Sequence, residues 1–170
     1  MTEIYSNSKQ DQLDIDQKAR QILDLIINTA RTLETTPCAN WQKLITIGLG
    51  VITLADNRAN LVVTFRPGSK APILRAQVES PGVKIFGHNP FVNHCGRVDF
   101  PLDPSEKPRF IAYRTSRHNG RRRIEPDVHQ MDKLARIVPS PLEAIGCLVA
   151  SGHLTIAQLE KLFAQALPAR

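Results

Sequence analysis

Seven basic residues and no acid lie between Lys107 and Ile124: Lys107, Arg109, Arg114, Arg117, Arg121, Arg122 and Arg123. Asn119-Gly120 falls among them, and both residues tolerate the positive φ of a type I′ turn. A hairpin built on that turn sets His118 opposite Arg121, Arg117 opposite Arg122 and Ser116 opposite Arg123, roughly 5 Å apart. Guanidinium groups so placed repel one another, and a bound phosphate backbone would relieve the repulsion. The planar fork of arginine donates two parallel hydrogen bonds to phosphate, and a two-stranded ribbon fits a duplex major groove. The candidate binding residues are therefore Arg114, Arg117, His118, Arg121, Arg122 and Arg123. The expected ligand is nucleic acid, DNA or RNA, or another anionic partner. Phe110 and Tyr113 alternate with the arginines and suit either base stacking or a core. The plainer alternative is a solvated hairpin whose arginines pair with Asp99, Asp103, Glu125 or Asp127, and surface pairs of that kind stabilise little.

A second group of chemically capable side chains lies just upstream. The segment 85-IFGHNPFVNHCGRVDF-100 holds His88, His94, Cys95 and Asp99, all possible ligands for a borderline metal such as zinc. His118 and His129 could join them in space. Their spacing matches no compact metal signature. In a strand, His94 and Cys95 fall on opposite faces, so shared ligation needs a turn at Cys95-Gly96. Cys95 beside a histidine also has the make-up of a thiolate nucleophile, and His118 that of a base towards a phosphodiester. The plainer reading is a loop with surface histidines and a buried Cys95. No GxxxxGK[ST] or GxGxxG occurs, and 66-RPGSK-70 reads as a turn. No cofactor and no metal site is expected.

The elements that must position these residues can be read from periodicity. Ala19, Ile22, Leu23, Ile26, Ile27, Ala30 and Leu33 recur at three- and four-residue steps, which predicts a helix from about Ile15 to Leu33. Asp14 or Asp16 is the expected cap, Pro37 follows the helix end, and residues 1–12 read as a flexible tail. Strands are expected over 44-LITIGLGVITLA-55, 60-NLVVTF-65, 73-ILRAQV-78, 83-VKIFG-87 and 96-GRVDF-100, then the hairpin 109–124. Asp56-Asn57 is the expected turn between the first two. Three helices should follow. The first spans 127–137. The second is capped by Ser140 with Pro141 in its first turn, and the third, 156–167, is capped by Thr155. Helices two and three have the outline of a helix-turn-helix but not its charge, because 156–167 carries Glu160 and Lys161 and no arginine.

The predicted fold is α+β: an N-terminal helix, a central antiparallel sheet or small β-barrel of five to seven strands, and three C-terminal helices. Its expected organisation is a tail at 1–12, a helix plus antiparallel β domain with the basic hairpin at 13–126, and a C-terminal helical subdomain at 127–170. The 170 residues suffice for a core without disulfides or metals. The excess of 22 Lys and Arg over 16 Asp and Glu favours an anionic partner. Three widely spaced cysteines, Cys38, Cys95 and Cys147, suggest a reducing compartment and a cytoplasmic location. No apolar run is long enough for a transmembrane segment, and no signal peptide is expected at the N-terminus.

The leading expectation is a non-enzymatic nucleic-acid-binding or nucleoprotein accessory protein that contacts phosphates through its Arg-rich hairpin. One alternative is an adaptor or structural component of a protein assembly, docking a protein partner through residues 127–167. Another is a small metal- or histidine-dependent hydrolase.

Overall fold

The computed structural model describes residues 2–35, 43–54, 57–68, 70–78, 92–118, 121–126 and 140–167. Side chains within these elements are described except at 2–8, 54, 57, 92–95, 113–118 and 122–125.

Helix α1 runs over Thr2–Thr35, 34 residues or about 51 Å. It therefore begins well before Ile15 and takes in the stretch expected to be a flexible tail. Asp14 and Asp16 do not cap it. They lie inside it and accept from Gln10 Nε2 at 3.3 Å and Gln12 Nε2 at 3.0 Å. Such i,i+4 pairs stabilise helical turns that no apolar stripe marks. From Ala19 onwards the predicted stripe is the buried face: Ala19, Ile22, Ile26, Ala30 and Leu33. The helix ends at Thr35, whose hydroxyl donates back to the Arg31 carbonyl. The proline at 37 lies outside the described residues.

Among the described residues six antiparallel strands follow: β1 Ile45–Leu54, β2 Asn57–Phe65, β3 Ile73–Val78, β4 Val92–Pro101, β5 Arg109–His118 and β6 Arg121–Pro126. They pair in sequence order, β1-β2-β3-β4-β5-β6. Among the described residues this is an open meander with β1 and β6 at its edges, not the small barrel offered as an alternative. Asn57 is already in β2, opposite Leu54, so the turn expected at Asp56-Asn57 is displaced. The strand expected at 83–87 lies outside the described residues. The strand expected at 96–100 starts earlier, at Val92.

Alternation sorts the strand residues onto two faces. Val63, Leu61 and Ala59 of β2, Leu74, Ala76 and Val78 of β3, and Val98 and Phe100 of β4 are buried on one face. The positions between them form the other face, which the register carries from strand to strand: Val62 opposite Arg75, Arg75 opposite Asp99, Asp99 opposite Arg109. One irregularity interrupts β1. Gly48 pairs with Val62 and Gly50 with Leu61, so Leu49 is an extra residue and the strand bulges. The bulge shifts the phase, so that Ile47, Leu49 and Ile52 are all buried while Val51 is exposed.

Two helices close the chain, α2 Pro141–Ala150 and α3 Ile156–Ala166. Both predicted caps form. The Ser140 hydroxyl accepts from the Glu143 amide, and Thr155 and Gln158 make a reciprocal capping box. Gly152, at φ +75°, turns the chain between them. Ala144, Ile145, Leu148, Leu159 and Phe163 join α1 and the sheet in one core. Phe163 meets Phe65 edge to face at 5.4 Å, a contact that contributes about 1 kcal/mol. The apolar side of residues 140–167, expected as a helical subdomain or docking hairpin, is thus engaged within the protein. Among the described residues the large exposed hydrophobics are Leu13, Leu44 and Val51, none of them on α2 or α3. The helix expected at 127–137 lies outside the described residues.

Candidate nucleic-acid interface

Helices cover one face of the sheet, because α1, α2 and α3 pack together and α2 and α3 meet β1. The opposite face carries Arg58, Arg75, Arg97 and Arg109, and the β5–β6 hairpin carries Arg114, Arg117, Arg121, Arg122 and Arg123.

The hairpin has the predicted register. Ser116 pairs with Arg123, Arg117 with Arg122 and His118 with Arg121, leaving two residues for the connection. Asn119-Gly120 itself lies outside the described residues, as do the side chains of Arg114, Arg117, His118, Arg122 and Arg123. Arg121 is exposed. The four acids that could serve as internal counterions are differently placed. Glu125 stands opposite Arg114 in the ladder. Asp103 accepts from the Ser105 amide at 3.0 Å and its hydroxyl at 2.9 Å. These two bonds hold its carboxyl below the usual range, outweighing a slight opposing effect of burial, with Arg66 adding a little. Asp127 lies outside the described residues.

Asp99 is bound by arginines that periodicity alone does not single out as a group. It is buried, with 5% of its surface accessible. Arg75, directly across the β3–β4 ladder, donates to it from Nε at 2.6 Å and from Nη2 at 3.3 Å, one bond to each oxygen. Arg97, two residues away on β4, brings its Nε to 3.8 Å from Asp99 Oδ2. That Nε is buried and has no hydrogen-bond partner among the described residues. Arg109 is the cross-strand neighbour of Asp99 on the other side and is exposed. The signal in the sequence is the alternation of polar with apolar positions in 73-ILRAQV-78 and 96-GRVDF-100. Only the strand register shows that they converge.

Several side chains are not available for the roles their types suggest. Phe110 stands opposite Val98 and packs against the core, so it is not a stacking platform. Arg66 is closed into its own loop, donating from Nε to the Ala71 carbonyl at 2.7 Å and from Nη2 to Glu106 at 2.9 Å. Residues 67–68 accordingly form a turn, with Gly68 at φ +79°. Cys95 and Gly96 continue β4 without a turn. The rearrangement that shared ligation by His94 and Cys95 required is therefore not present. Among the described residues no three His, Cys, Asp or Glu side chains are grouped to hold a metal ion. His88 and His129 lie outside them. An open cleft between α1 and the loops at 70–72 and 102–104 mixes Arg31 and Lys70 with Glu34 and Asp103, so it offers no net attraction for an anion.

Cys147 is a half-buried thiol whose burial, with the charge of Glu143, pushes its pKa up. Less thiolate forms at neutral pH, and the thiolate is the reactive form. Brief iodoacetamide treatment followed by peptide mapping is expected to label Cys147 more slowly in the native protein than in urea. Equal rates would contradict this placement.

Among the described residues no helix is long and apolar enough to cross a membrane. No family model, no curated protein and no solved structure matches the chain.

Proposed function

We propose that this is a non-enzymatic nucleic-acid-binding or nucleoprotein accessory protein that grips phosphates through the β5–β6 hairpin. The observation that supports the reading is the ladder register, which sets Arg117 opposite Arg122, with Arg121 and Arg123 on either side of Arg122 along β6. Like charges directly opposite in a ladder are destabilising, and phosphate oxygens supply a countercharge. Asp99, the buried acid among the candidate counterions, already has both oxygens engaged by Arg75.

Binding through phosphates releases condensed counterions, so affinity falls as salt rises, with a log–log slope near −0.9 per contact. Fluorescence anisotropy with a short random-sequence DNA duplex, and with the matching RNA, is expected to give a steep salt dependence. Replacing Arg117, Arg121, Arg122 and Arg123 together by Gln is expected to flatten that slope by roughly three to four units. A salt-independent affinity, or unchanged binding by the fourfold variant, overturns the proposal.

A further inference from the structure

We infer that the phosphate-binding surface is not confined to the hairpin but continues across the face of the sheet opposite α1, α2 and α3 through Arg97, Arg109 and Arg58, with Asp99 tying down Arg75. The inference rests on the nucleic-acid reading of the hairpin and extends it to residues that the sequence alone does not nominate.

Two observations carry it. The first is charge. That face presents Arg58, Arg75, Arg97 and Arg109 among its described side chains, against one described carboxylate, Asp99. Asp99 satisfies one guanidinium fully, so the face keeps an excess of three positive charges. Arg58 and Arg109 are exposed, and Arg97 is 37% exposed. The second is continuity. Arg109 and Arg117 are eight residues apart in the uninterrupted ladder of β5, so they occupy the same face of one strand. Their separation is about 27 Å at 3.4 Å per residue. That length corresponds to about eight base pairs of duplex rise, so one backbone can run from the hairpin onto the sheet.

Exposed arginines without a described ion pair can be removed with little effect on folding, which makes the test direct. The double variant Arg58→Gln, Arg109→Gln is expected to flatten the salt slope for the random-sequence duplex by roughly two units. Gln77→Glu, at an exposed position opposite Arg97, adds an acid to the face without removing any contact, and is expected to weaken binding severalfold. A control with the same loss of net charge on the helical side, Lys18→Gln with Lys161→Gln, is expected to leave the slope within about half a unit of the parent. If the control falls as far as the sheet variants, only net charge matters and the inference is overturned. If the sheet variants bind as the parent does while the fourfold hairpin variant fails, the inference is overturned and the hairpin reading stands. If neither set alters binding, both fall.

Discussion

Gly50→Ala is expected to destabilise the protein by about 2–4 kcal/mol, lowering the midpoint of thermal unfolding by roughly 10 °C. Two effects combine. Gly50 sits at φ +149°, a backbone region that residues with a Cβ rarely adopt. A Cβ built there also lies 2.9 Å from Leu148 Cδ2. Leu148 is fully buried in the core that α1, α2 and β1 share, so its side chain has little room to turn aside. The bulge makes both conditions necessary, because inserting Leu49 brings the β1 backbone close beneath α2. The two effects can be separated in a double-mutant cycle. Leu148→Ala removes the collision and leaves the backbone strain. Adding Gly50→Ala in that background should cost about 1 kcal/mol less than it does in the parent. Urea unfolding reads both values. A Gly50→Ala variant within about 0.5 kcal/mol of the parent would mean that β1 does not bulge here.

That bulge illustrates where the sequence stops being legible. In 45-ITIGLGVITL-54 a strict period of two keeps Val51 inward with Ile45, Ile47 and Leu49, and turns Ile52 outward. The structure does the reverse, since one extra residue resets the phase. Two glycines flanking a leucine hint at an irregularity but do not fix its register. Features governed by neighbours in the chain are readable. The stripe from Ala19 to Leu33, the caps at Ser140 and Thr155, and the His118–Arg121 register follow from local spacing and turn chemistry. The early part of helix α1 is hidden from periodicity because the stretch 10–16 carries polar i,i+4 pairs and no apolar stripe. The Arg75–Asp99 pair joins residues 24 apart in sequence and needs the β3–β4 register to bring them together. No pattern within either strand names the other.

That pair gives the second large expected effect. Asp99→Ala should cost about 2–3 kcal/mol, somewhat below the roughly 3–5 kcal/mol for breaking a fully buried ion pair. The reduction has a physical cause: Arg75 and Arg97 remain 29% and 37% exposed, so water recovers part of their lost interaction. What remains is two guanidinium groups facing each other across an emptied position, with Arg109 beyond. Removing both charges is different. The double variant Arg75→Met, Asp99→Leu deletes the ion pair and sets an apolar pair beside Val62 and Ile73, so its stability should return to within about 1 kcal/mol of the parent. It also subtracts one positive and one negative charge, leaving the net charge of the face unchanged. If Arg58, Arg97 and Arg109 carry the phosphate contacts, this variant should keep the parent's salt slope to within about half a unit. A stable double variant that loses nucleic-acid binding would show instead that the Arg75–Asp99 pair positions the contacts. Stability and binding would then be coupled through one carboxylate, and Asp99 would matter for the geometry of the face more than for its charge.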